Sequence, residues 1–160
     1  MTRDMRRKDR RVTDTAQILG IADRAKILHL ALFDEGYPYI VPMHYGYEYD
    51  NGTFTFYLHC AREGHKLDLI RACPRCCIEL DTDAKIISGG DDACSYASYF
   101  SSIIGRGTAE IIDGDEKIHG LKVLMRTQTG REFDIDAAMA SAVTVIRIVT
   151  DSFSAKARVR

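Results

Sequence analysis

The sequence predicts an α+β fold: about six mostly antiparallel strands, with helices inserted between them, rolled into a small β-barrel. Three observations carry this. Residues 53–60 alternate, with Phe54, Phe56 and Leu58 on one face and Thr53, Thr55, Tyr57 and His59 on the other, the period of a half-buried strand. Asn51-Gly52 just before them is a hairpin signal, because both residues tolerate the positive φ of a type I′ turn. Helical periodicity appears only in short stretches between strand patterns, as where Ile118, Leu121, Leu124 and Met125 share a face.

Along the chain, Asp14 with Gln17 resembles a capping box opening a short helix to about Ala22. Residues 25–34 and 37–49 read as two strands joined at Asp34-Glu35-Gly36, and with 53–60 they make a three-stranded meander. Pro42 cannot donate to a ladder, so the backbone there bulges or lies at an edge. A helix follows over AREGHKLDLIRACP, ended by Cys73-Pro74, then a fourth strand over 76–83 and a polar loop over 84–95. Residues 96–112 form one long strand containing Gly105-Arg106-Gly107. Asp113 with Glu116 caps the helix of Ile118 and Leu121, residues 133–142 form another short helix, and 143–150 with 152–159 supply the closing strand or strands. The division is a basic arm over 1–12 and one domain over 13–160.

A chain of 160 residues, 46% hydrophobic and 28% charged, can bury a core without staples. Its longest apolar runs, such as 27–33, are interrupted by His29 and fall short of the ~20 residues of a membrane span. The first residues are charged and lack the apolar stretch of a secretory signal, so the expected setting is cytoplasmic. Six Arg or Lys against two Asp over 1–11, and Lys156, Arg158 and Arg160 at the other end, flank an acidic body. No helix-turn-helix, zinc-finger or single-strand-binding pattern accompanies this arm, so a solvated or docked arm is expected and nucleic acid is not. The five cysteines are expected to be reduced thiols. Cys73-Pro-Arg-Cys76 is half of a zinc site with no second half, so no metal is expected, and Cys77 reads as a small core residue opening a strand.

Gly105-x-Gly107 lies within strand pattern without a following helix, so it is not a dinucleotide fingerprint. No nucleophile elbow, H-E-x-x-H or P-loop occurs. His119 reads as a surface residue and His29 as a satisfied core histidine. The segment from His59 to Lys66 differs: a strand ends, and a helix opens near Gly64 with Arg62, His65 and Lys66 in or beside its first turn. The macrodipole disfavours cations there unless an anion is bound as well, by free N–H groups and by these side chains. Solvated surface charge is the other reading of the same pattern.

The order Gly36-Tyr37-Pro38-Tyr39-Ile40-Val41-Pro42-Met43-His44-Tyr45-Gly46-Tyr47, Phe56-Tyr57-Leu58-His59-Cys60-Ala61-x-x-Gly64-His65-Lys66, Pro74-x-Cys76-Cys77 and Ser102-Ile103-Ile104-Gly105-x-Gly107 resembles the pyridoxamine 5′-phosphate oxidase-related flavin-binding split barrels, and among them the nitroimidazole-resistance (Nim) branch. The resemblance covers roughly residues 15–150. Cys60 stands where the family commonly has Ser, and Cys73 where it typically has Asn, so the phosphate contacts near Cys60 are the part in question.

The resemblance implies a six-stranded split β-barrel and an FMN-binding homodimer with its sites at the subunit interface. Val41, Pro42, Met43, His44 and Tyr45 would line the isoalloxazine ring. His59, Gly64, His65 and Lys66 would surround the phosphate or the flavin edge, and Ser102 would come from the facing region of the dimer. The implied activity is electron or hydride transfer from reduced FMN, ultimately from a nicotinamide donor or ferredoxin, to a nitroaromatic or similar small molecule. His65 is the expected proton donor. The Arg and His pairing of a pyridoxamine phosphate oxidase is not evident in TDSFSAKARVR, so that activity is not expected. A haem-binding protein with His44 or His65 as axial ligand, or a non-catalytic flavin-binding module, are the alternatives.

Overall fold

A computed structural model describes residues 5–159; the first four residues of the basic arm and Arg160 lie outside the described residues. A 3₁₀ turn over Lys8–Arg10 leads into β1 (Arg11–Val12), which pairs with the far end of the chain at Lys156 and Ala155. The end of the basic arm is therefore part of the sheet. In α1 (Thr15–Arg24) the Asp14 carboxylate accepts from the Gln17 N–H at 2.9 Å, the cap its spacing predicts.

The chain then forms β2 (Leu28–Asp34), β3 (Tyr37–Met43), β4 (Tyr45–Asp50) and β5 (Thr53–Cys60). Helix α2 (His65–Ala72) precedes β6 (Arg75–Ile87) and β7 (Ala97–Ile112). Helices α3 (Gly114–Thr129) and α4 (Ala137–Ser141) precede β8 (Thr144–Arg158). All strand pairs are antiparallel, and the order across the sheet is β3-β2-β6-β7-β8-β5-β4, with β1 beside β8.

Eight strands stand where six were predicted, because β1 was unforeseen and the predicted strand over 37–49 breaks at His44. That break also removes the predicted meander. β3 and β4 lie at opposite ends of the sheet, joined only by His44, so the sheet rolls round until its two edges converge there without a ladder between them. This is a split barrel. Pro42 lies in edge strand β3, the place in a sheet where proline is tolerated. Asn51 and Gly52 have φ of 47° and 87°, as a type I′ turn requires.

The interior is the alternating face of the strands: Leu28 and Leu30, Phe54, Phe56 and Leu58, Ile78 and Leu80, Ile103, Ile146 and Ile148. Ile18 and Ile21 of α1 and Leu67 and Ile70 of α2 plug it. A second cluster lies outside the barrel, where Leu121 and Val123 of α3 and Ala140 of α4 cover Tyr57, Ile112 and Val145. Asp113 begins α3 through its backbone carbonyl, which accepts from Lys117, rather than through the predicted side-chain cap.

Three further expectations need correcting. The predicted loop over 84–95 is shorter, since β6 resumes after a bulge between Thr82 and Lys85 and runs to Ile87. Cys77 is exposed and its neighbour Cys76 is buried, because Cys76 shares the inward face of Ile78 and Leu80 and Cys77 lies on the opposite one. His29 is half-buried and faces outward, satisfied by Glu79 at 3.0 Å rather than packed in the core. Gly107 sits where β8 bulges at Asp151, and a Cβ on it would lie 2.2 Å from the Val149 carbonyl oxygen. The glycine pair of β7 therefore serves strand packing.

Candidate functional site

The convergence of the two sheet edges at His44 fixes what Val41 to Tyr45 can offer. Tyr45 is fully buried, and its hydroxyl donates to the carbonyls of Ala22 and Ala25 at 2.6 and 2.9 Å, tying the end of α1 to the barrel. Burial drives its phenol further up, so it stays neutral. The Tyr45 carbonyl accepts from Gln128 Nε2 at 2.7 Å. Met43 is buried and Val41 packs against the core, whereas Pro42 and His44 are exposed. Of the five residues, Pro42 and His44 thus face outward with their side chains. His44 Nδ1 lies 3.2 Å from the Lys26 carbonyl.

At the end of β5, His59 comes close to His44. Burial holds the His59 imidazole below its usual range, and His44 nearby pushes the same way. Cys60 beside it has its thiol pushed up by burial and drawn back by the Lys66 ammonium. The Lys66 ammonium is therefore near enough to the strand end to act on Cys60. It makes no ion pair with a carboxylate among the described residues.

The turn between these elements depends on Gly64, whose φ of 146° and ψ of 156° suit only glycine. Being glycine, it gives the first turn of α2 no side-chain cap. The N-terminus of α2 thus presents amides and a lysine to whatever occupies the space beyond.

His65 turns elsewhere. Its Nε2 lies 2.8 Å from Asp34 Oδ2, and its ring meets Tyr39 edge-on at 5.3 Å. Part of the charge pattern that suggested an anion is therefore answered inside the chain, by the Asp34 carboxylate. Asp34 and Tyr39 escaped the sequence reading, because a hairpin and a helix start some thirty residues apart carry no shared motif. Beside Asp34, a cleft of about 490 Å³ is lined by Phe33, Tyr37, Pro38 and Cys77.

Ser102 is half-buried on β7, opposite Asp81 of β6 and Lys156 of β8. Two strands, β6 and β2, separate β7 from β3, so within one chain Ser102 does not join the group around His44.

Residues 14–157 match the pyridoxamine 5′-phosphate oxidase family. Among solved structures, a candidate 5-nitroimidazole antibiotic resistance protein of Bacteroides thetaiotaomicron superposes with a TM-score of 0.77 at 30% identity, covering 92% of this chain and 86% of that one. The FAD and heme binding protein of Mycobacterium smegmatis gives 0.75 at 16% identity, covering 92% of this chain and 73% of that one. The flavocytochrome Anf3 of Azotobacter vinelandii gives 0.75 at 19% identity, covering 99% and 74%. The last two show the fold alone. The comparison with curated proteins gives no match.

Proposed function

This chain belongs to the pyridoxamine 5′-phosphate oxidase family, and we propose that it binds a flavin, FMN, and uses it to reduce a nitroaromatic or similar small oxidised molecule. The observation that carries the reading is the junction of β5 and α2. There a helix N-terminus without a side-chain cap, a glycine at φ 146° and a lysine without a carboxylate partner among the described residues form a ready site for a phosphate monoester. The flavin and haem named for the two structural neighbours, and the resistance function named for the third, support the same direction.

When bound, the flavin supplies redox chemistry that no side chain here offers. Lys66 and the first amides of α2 hold the phosphate. His44, exposed at the convergence of the sheet edges, and His59 beside it border the ring, and β3 at the sheet edge offers its unpaired backbone groups. His65 is the proton donor. The Asp34 carboxylate, 2.8 Å from its Nε2, orients the ring, and the imidazole gives or takes a proton near neutral pH.

The functional unit is a homodimer with the cofactor cleft shared between chains. Ser102 reaches the flavin only from a second copy, and the exposed Ile40, Tyr96 and Ile104 give that copy an apolar surface to cover. The setting is cytoplasmic, and the arm over 1–12 serves assembly rather than nucleic acid.

The absorbance spectrum of the protein, after incubation with FMN and removal of free flavin, tests the reading. Flavin bands at one equivalent per chain are expected. A Soret band in their place would move the assignment to haem, with His44 the better axial ligand since His65 is engaged by Asp34. A spectrum with neither would remove it.

A further inference from the structure

His29, Glu79 and Asp81 form a cluster that the proposed flavin site does not use. β2 and β6 are hydrogen-bonded neighbours with His29 directly opposite Glu79, and Asp81, two residues on, shares the same outer face. His29 Nδ1 lies 3.0 Å from Glu79 Oε2, and the donor atoms of all three lie within 4.8 Å of one another. Two ligands each about 2.1 Å from one ion stand about 3.0–3.4 Å apart, at octahedral and tetrahedral angles respectively. The cluster can therefore close on an ion by small side-chain rotations, with the backbone of two paired strands holding the ligands in place.

The charges point the same way. Glu79 and Asp81 are like charges on one face, and Asp81 makes no ion pair among the described residues. Lys156 lies across β7 from Asp81, beyond Ser102, but its ammonium sits over the Phe100 ring at 5.3 Å. Among the described residues, the His29 imidazole is the nitrogen group in hydrogen-bond contact with this pair of carboxylates, through Glu79.

We propose that His29 Nδ1, Glu79 and Asp81 bind a divalent first-row transition-metal ion of the Mn²⁺ or Zn²⁺ class. One imidazole and two carboxylates suit these ions better than Ca²⁺, which takes oxygen alone, or Cu⁺, which favours sulfur. Three protein ligands on a solvent-facing surface leave coordination positions open, the arrangement of an exchangeable ion rather than a closed structural site. All three ligands come from one chain, so the site depends neither on the proposed dimer nor on flavin. No metal motif links these residues in sequence, because fifty residues separate His29 from Glu79.

Mn²⁺ is the probe, since the thiols of Cys73 and Cys77 favour softer ions. Titration of the flavin-free protein, followed by loss of the free Mn²⁺ electron paramagnetic resonance signal, should show one ion per chain. Asp81→Asn alters an exposed side chain and should leave the thermal unfolding midpoint unchanged while weakening Mn²⁺ binding by at least about tenfold. Glu79→Gln should do the same, and Cys73→Ser should bind as wild type does. No Mn²⁺ uptake up to about 1 mM, or uptake undiminished in the Asp81→Asn, Glu79→Gln double variant, would overturn the proposal.

Discussion

The β2–β3 hairpin leaves Phe33, Tyr37 and Ile40 between 59% and 81% exposed, whereas β4–β5 buries Phe54, Phe56 and Leu58 in the barrel and Tyr57 under α3. Both hairpins are short aromatic-rich pairs closed by tight turns, and both end at a sheet edge. What separates them is cover. Helix α3 lies across the outer face of β4 and β5, and no helix of the described chain does the same for β2 and β3. Two ends of one sheet thus have different tasks: the covered hairpin holds the fold, and the uncovered one carries Asp34, the apolar cleft and the surface proposed to meet a second copy.

The largest expected effect lies in the covered hairpin. Phe56→Ala removes a ring packed among Tyr45, Tyr47 and Phe54, and should cost about 3–5 kcal/mol of unfolding free energy in a urea titration. A loss under about 1 kcal/mol would mean the barrel is not the stabilising centre. At the junction between the two regions, Gly64→Ala forces a Cβ onto a backbone conformation that suits glycine, at a cost of about 1–3 kcal/mol. FMN affinity should fall with it, because the first turn of α2 would reorient.

In the uncovered hairpin the balance reverses. Ile40→Ser should change unfolding free energy by no more than about 0.5 kcal/mol, while sedimentation at micromolar protein shifts from dimer toward monomer. Unchanged sedimentation would place the dimer surface elsewhere. The smallest effect is electrostatic. The Arg24 guanidinium bonds Asp83 at 3.0 and 2.8 Å and holds its carboxyl below the usual carboxylate range. Such a lowered group stabilises the fold at neutral pH, and the contribution fades as pH falls through its folded-state value. Arg24→Gln should therefore cost at most about 1 kcal/mol at neutral pH, this pair being exposed, and the difference from wild type should vanish in acid.

Local pattern made β5, β7, α1 and the Asn51-Gly52 turn legible, because alternation and capping are contained within a few residues. It could not show that 37–49 splits at His44. Both halves read as strand, and only the closing of the sheet sends them to opposite edges. Cys77 was misplaced because its position next to an apolar run suggests core, whereas its parity sets it opposite Ile78 and Leu80. Around the site, the approach of Lys66 to the end of β5 was legible from spacing, whereas the pairings of His65 with Asp34 and of His29 with Glu79 were not, as each depends on sheet order.

The central claim is that the uncapped start of α2 and Lys66 hold a flavin phosphate. Titrating FMN and riboflavin into wild type and Lys66→Ala tests it most directly, because riboflavin keeps the ring and lacks the phosphate. Loss of one charge-assisted hydrogen bond should weaken FMN by about 1.5–3 kcal/mol, roughly tenfold to a hundredfold, and leave riboflavin binding nearly equal in the two proteins. Equal losses for both flavins would contradict the account and make Lys66 a support of the fold or the ring.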